Sequence, residues 1–240
     1  MRSTVARGLA GSLLLALAAP AWSFNLDQLQ NLSQGEFRLL AEDVGAALSY
    51  HPQTPTEPLG LFGFDIGVAL TGSTIKNKDV LERAGSGSVP SYLAVPALRG
   101  NLGLPFGFDV GLMYSAVPDS NISLQGGELR WAFLKGGVGE PALGIRGAAT
   151  KLSGVDQADL TTKSVDLSAS KGFGPLTPYV GIGRTWISAD PHVGGLVKEE
   201  FTLDKFFLGA GFKLLVFNLN AEVDRTGVSN AYSLKAGIRF

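Results

Sequence analysis

Two histidines, His51 and His192, are the chain's only imidazoles, and there is no cysteine. Thiolate metal sites and cysteine nucleophiles are therefore excluded, and a histidine base for hydrolysis would have to be one of these two. His51 stands between Tyr50 and Pro52 with no evident nucleophile beside it. His192 closes Asp190-Pro191-His192, a sequence that a turn also uses, with Asp156 and Asp159 as poorly spaced acidic company. Two distant histidines, with no Asp-rich, Gly-containing loop, imply no metal site and no cofactor. The remaining charged groups that recur at alternate positions are the acids Asp65, Asp109, Glu128, Asp166, Glu222 and Asp224 and the bases Arg99, Arg130, Arg146, Lys235 and Arg239. Six acids against five bases suit mutual ion pairing, because buried ions without partners are costly.

Strands are what would hold such groups on one face, since an extended chain points successive side chains to opposite sides. From Gly60 onward the sequence breaks into ten strand-length stretches, separated by turn residues. They run about 60–73, 90–104, 106–115, 122–134, 142–152, 160–171, 177–188, 200–214, 218–226 and 230–240. In the third, Phe106, Phe108, Val110, Leu112 and Tyr114 oppose Asp109, Gly111 and Met113; in the fourth, Leu129, Trp131 and Phe133 oppose Glu128 and Arg130. The expected fold is all-β, an antiparallel transmembrane β-barrel of about ten strands (eight to twelve), with a short helical N-terminal segment. Links near 104–107, 135–141, 172–176 and 215–217 are short, and the alternating set is mostly longer and polar, as in barrels with short periplasmic turns. Thirty-two glycines fit the interior of a narrow barrel, where small residues leave room. A disulfide-free soluble β-sandwich would bury the same alternating faces and is the competing fold.

The two ends of the chain agree with this reading. Tyr232, Leu234, Ala236, Ile238 and Phe240 share one face, while Ser233, Lys235 and Arg239 share the other. This tail resembles the C-terminal assembly signal of bacterial outer-membrane β-barrels, which implies an outer-membrane address and recognition by the barrel assembly machinery. At the other end, Arg2 and Arg7 precede an apolar run from Leu9 to Ala19, and Ala21-Trp22-Ser23 offers a cleavage site after Ser23. The expected organisation is a signal peptide over 1–23, a periplasmic helical lead-in or plug over 24–59, and a barrel over 60–240.

In the lead-in, Leu26, Leu29 and Leu32, then Phe37, Leu40, Val44, Ala47 and Leu48, recur at helical spacing. Asp27 and Ser33 are candidate caps and Gly35 a candidate break, giving one or two short helices. Pro52, Pro55 and Pro58 then predict a stiff, extended connection. The stretch Leu40 to Pro52, with Glu42-Asp43 and Tyr50-His51-Pro52, is similar to the N-terminal segment of FadL-type outer-membrane transporters. Here Tyr-His-Pro stands where that family has an aromatic residue followed by Asn-Pro, and the chain is too short for the family's fourteen-stranded barrel. The resemblance implies hatch-gated uptake of hydrophobic compounds.

The leading expectation is an outer-membrane barrel whose narrow lumen is largely filled by side chains and whose role is structural or mediated by its outer loops. A small plug-gated or FadL-like transporter is the alternative. A hydrolase centred on His192 is a third class: Asp-x-His on an outer loop is similar to one half of the omptin protease site, but Asp156 and Asp159 do not supply the acidic pair of the other half. A net charge of −1 with no basic stripe implies no nucleic-acid partner. Outer-membrane lipid is the expected partner, with Tyr92, Tyr114, Trp131, Tyr179, Trp186 and Tyr232 as interfacial girdle candidates. The partner of the outer loops is unknown.

Overall fold

In the computed structural model, residues 26–85, 92–116, 122–137 and 139–240 are described; the expected leader and Phe24 lie outside them. Ten antiparallel strands form a closed barrel: β1 (Phe64–Thr74), β2 (Tyr92–Gly103), β3 (Phe108–Ala116), β4 (Ser123–Lys135), β5 (Ala142–Ser153), β6 (Ala158–Ser170), β7 (Leu176–Pro191), β8 (Glu199–Leu214), β9 (Phe217–Thr226) and β10 (Ser229–Arg239). Each strand pairs with its sequence neighbours, and β1 pairs with β10 from Asp65↔Arg239 to Ser73↔Ala231. Closure leaves no sheet edge. It continues past the strand ends, where Phe64 and Phe240 exchange two backbone hydrogen bonds of 2.9 Å and stack their rings at 6.0 Å.

The alternation in the sequence becomes an inside and an outside. On β9, Asn218, Asn220, Glu222, Asp224 and Thr226 are buried, while Leu219, Ala221, Val223 and Arg225 are exposed. The outer surface of every strand carries exposed apolar side chains, among them Ile66, Leu112, Leu129, Leu167, Ile182, Leu208 and Leu234. A water-soluble protein does not expose a continuous apolar band of this kind, and closed barrels are one of the two folds that satisfy their backbone within lipid. No described helix is long and apolar enough to cross a membrane.

The two rims differ. Four short links, between β2 and β3, β4 and β5, β6 and β7, and β8 and β9, share a rim with the start of β1 and the chain end. The other rim carries the link from β1 to β2, which holds a helix α2 (Lys78–Ala84), and the loop from Pro191 to Glu199. This link is one of the longer, polar connections expected from the sequence, and it is partly helical. Asp79 in the first turn of α2, Arg83 in its last, and Val80, Leu81 and Ala84 on one buried face are the signals that specify it.

Among the described residues one helix precedes the barrel, α1 (Gln34–Leu48), after a 3-10 turn over Leu29–Asn31. Ser33 caps it in a capping box: Ser33 Oγ accepts from Glu36 N, and Ser33 N donates to Glu36 Oε2 at 2.9 Å. Gly35 lies inside the first turn rather than breaking the helix, and the residue at the N-cap of the 3-10 turn is Gln28 rather than Asp27. The break falls one element earlier because the 3-10 turn ends at extended Leu32.

Candidate functional site

The lead-in is threaded through the barrel. α1 lies at the long-loop end: Gln34 bonds Glu199 and the Val197 carbonyl, Arg38 pairs with Glu199 at 3.3 Å, and Arg83 of α2 pairs with Glu36. Residues 49–59 then run down the lumen to the short-turn rim, where Leu59 N donates to Asp109 at 3.0 Å and β1 begins. The helix is thus at the opposite end of the barrel from the strand it leads into.

At the long-loop end the inner wall is apolar. Phe37, Leu40, Ala47 and Leu48 of α1 share a buried cluster with Val80, Leu81 and Ala84 of α2 and with Val95, Met113, Leu124, Leu152, Leu160 and Ile187 of the wall. Gly45 permits the approach: a Cβ there would lie 2.7 Å from Ile187 Cδ1. Asp43 ties the helix to the loop above it, accepting from the backbone N–H groups of Lys76 (3.0 Å) and Asn77 (2.7 Å) and from Ser229 Oγ (3.3 Å). It is 1% exposed. Sequence reasoning gave Asp43 no role of its own, because its partners lie in another element.

Below α1 the wall is polar and clasps the threaded main chain. Thr150 Oγ1 donates to the Leu48 carbonyl at 2.8 Å, and Lys205 donates to the Tyr50 carbonyl. Arg99 lies 4.5 Å from the Tyr50 ring and donates to the His51 carbonyl (2.6 Å) and Gln53 Oε1 (2.9 Å). Gln53 N donates to Glu222 at 2.7 Å, and Gln53 Nε2 to Thr71 at 2.7 Å. Arg130 donates to Thr54 Oγ1 (3.0 Å) and the Pro55 carbonyl (2.6 Å), while Thr56 bonds Ser168 and Ser170. Arg239, partly buried, donates to the Glu57 carbonyl at 3.3 Å.

Of the eleven charged residues singled out in sequence, six touch this segment: Arg99, Asp109, Arg130, Glu222, Asp224 and Arg239. The wall also pairs with itself, Asp65 with Lys235 at 2.6 Å, Asp109 with Arg130 at 2.6 Å, and Arg146 with Glu128 (3.5 Å) and Asp166 (3.8 Å). The lumen holds main chain as well as side chains. Ten strands enclose more space than eight, and inward Gly144 and Gly211 leave room for the threaded segment, since a Cβ there would lie 2.9 Å from Thr56 Cγ2 and 3.0 Å from Pro55 Cγ, respectively.

A correction concerns Tyr179, expected in the outer girdle. It is 2% exposed, faces inward, packs on Phe207 and donates to Glu222 at 2.9 Å. Parity decides this, because Trp186 on the same strand faces outward and is an odd number of residues away. Gly209 accommodates the ring, since a Cβ there would collide with it. Tyr92, Tyr114, Trp131 and Tyr232 are outward and exposed, as are Leu234, Ala236, Ile238 and Phe240 of the terminal strand.

His51, Glu222 and Asp224 offer ligand atoms within 4.8 Å of one another. Both imidazole nitrogens already have protein partners, Nδ1 with Asp224 and Nε2 with the Ala47 carbonyl at 3.2 Å, and Lys205 reaches the adjoining Tyr50 carbonyl. The arrangement is a latch between threaded segment and wall. His192 sits at the long-loop rim, with Nδ1 3.0 Å from the Asp156 carbonyl and Nε2 3.4 Å from Asp159. That geometry joins two loops.

Strand closure, apolar exterior and occupied lumen define a transmembrane β-barrel with an internally threaded N-terminal segment. No protein-family model matches the chain, and no curated protein matches it. Among solved structures, the chain is similar to Ail, the attachment invasion locus protein of Yersinia pestis (13% identity, 75% of this chain and 99% of that one, TM-score 0.33), and to Neisserial surface protein A (14% identity, 74% and 95%, TM-score 0.29).

Proposed function

We propose that this protein is an integral outer-membrane barrel of a Gram-negative bacterium, exported through a leader cleaved after Ser23 and inserted by the barrel assembly machinery. Its lumen is held shut, and it works through the surface at its long-loop mouth, where α1, α2 and the loops form one face. The observation that carries this reading is the threaded segment, bonded to the wall from Leu48 to Leu59. A conducting channel of open aqueous type needs about sixteen strands, and a ten-stranded barrel with a chain through its lumen leaves no such path. Loop-length asymmetry supports placing the long-loop rim outside the cell. The polar clasp around residues 49–59 favours a second reading, displacement of the segment to pass a small polar solute; its lining does not suit a greasy one.

Single-channel conductance of the refolded mature protein in planar bilayers separates the two. The closed reading expects silence from protein whose folding is proved by heat-modifiable gel migration. Steps from the intact chain would overturn it. Steps confined to a chain lacking 24–58 would identify that segment as the seal.

A further inference from the structure

We infer that the outer faces of β5, β6, β7 and β9 carry a binding site for the phosphorylated headgroup of a lipid, formed by Lys151, Lys163, Arg184 and Arg225. The inference rests on the membrane reading above and names the lipid chemistry that one side of the barrel selects. All four side chains face away from the lumen and are exposed, on strands that are consecutive except for β8 between Arg184 and Arg225.

Register places them at one height. Counted from the strand ends at the short-turn rim, Lys151 is nine residues from Ala142, Lys163 seven from Ser170, Arg184 eight from Leu176 and Arg225 eight from Phe217. With about 3.3 Å per residue and a tilt near 40°, the row stands roughly 20 Å above that rim. An apolar barrel band is about 25 Å tall, so the row lies near its far edge. Below it the outward positions are apolar or small, including Val165, Leu167, Ile182, Phe206, Leu208 and Val223. Trp186, directly opposite Lys163, adds an amphipathic ring at the same level.

Charge at this height is one-sided. Asp204 pairs with Arg184 at 3.1 Å and offsets one of the four cations, which leaves a net positive row. On the other half of the barrel the corresponding outward positions are Tyr232, Gly72, Pro96, Ala116 and Gly127, which carry none. Cations at the edge of a lipid-facing band find phosphate oxygens there, and Arg and Lys bind these with charge-assisted hydrogen bonds.

The test uses the full mature chain with Trp131→Phe, so that Trp186 reports alone among the described tryptophans, refolded in phosphatidylcholine vesicles. Quenching is measured with brominated phosphatidylcholine and with brominated phosphatidic acid, a phosphomonoester lipid. The expected result is a preference of about tenfold or more for phosphatidic acid, falling to near one when Lys151→Gln, Lys163→Gln, Arg184→Gln and Arg225→Gln are combined. Equal quenching by both lipids, or a preference that survives in the quadruple variant, would overturn the site. Displacement of the phosphatidic acid by inorganic phosphate at equal concentration would also overturn it, by marking a site for a free anion. Failure of brominated phosphatidylcholine to quench Trp186 at all would instead sink the membrane reading beneath it.

Discussion

Arg99 on β2 donates to the His51 carbonyl at 2.6 Å and, through the same nitrogen, to Gln53 Oε1 at 2.9 Å, joining the wall to the threaded chain at its midpoint. Both acceptors are buried. Arg99→Met keeps the bulk but leaves them unpaired, and should lower unfolding stability in lipid vesicles by about 3 kcal/mol in a urea titration. Arg83→Met, at the exposed pair with Glu36, should cost under about 1 kcal/mol. Equal effects from the two variants would mean that the clasp contributes little.

Gly45 and Ile187 test the packing of α1 independently. Gly45→Leu drives a side chain into Ile187 and should destabilise by about 1–3 kcal/mol despite its better helix propensity. Combining it with Ile187→Ala should recover much of the loss. Additive damage in the double mutant would show that the helix does not press on β7 at this point.

Strand number and inward parity were legible because period-two alternation is local: Glu128 and Arg130 against Leu129 and Trp131 already assign both faces of β4. Adjacent apolar residues blur that signal, as in Phe206-Phe207-Leu208, where Phe207 alone is buried. The apolar collar was partly readable, since Leu124, Leu152 and Leu160 share parity with the polar lumen residues of their own strands. Threading was not. Its contacts join residues far apart in sequence, such as Leu48 with Thr150 and Gln53 with Glu222, and no periodicity reports which end of a barrel a preceding helix occupies.

Glu36 gives the N-terminus of α1 a pH dependence. Hydrogen bonds from Ser33, then Arg83, hold its carboxyl below the usual value. A carboxylate depressed by folding adds stability above its unfolded value, and that stability fades as pH falls through the lower folded value. Amide resonances of residues 33–37 should therefore shift on acidification at a midpoint below that of an unstructured peptide. Glu36→Gln should flatten the transition, and a peptide-like midpoint would contradict the capping geometry.

The topology makes a claim about sides that the absence of cysteine makes easy to test. Gln30, in the 3-10 turn, is exposed at the long-loop end, and Leu215, 83% exposed, lies in a turn at the other rim. In intact cells Gln30→Cys should react with a membrane-impermeant maleimide while Leu215→Cys does not until the outer membrane is breached. The reverse pattern would invert the barrel and place α1 in the periplasm.

Phe240 separates assembly from stability. Its ring stacks on Phe64 and its backbone closes the β1–β10 seam, yet its side chain is 75% exposed, so little packing is lost with it. Phe240→Ala should leave refolding into vesicles nearly unchanged, with heat-modifiable migration as the readout. If the terminal strand is also what the insertion machinery recognises, the same substitution should sharply reduce the folded protein recovered from outer membranes. Equal loss in both settings would assign Phe240 to barrel closure, and no loss in either would remove it from both roles.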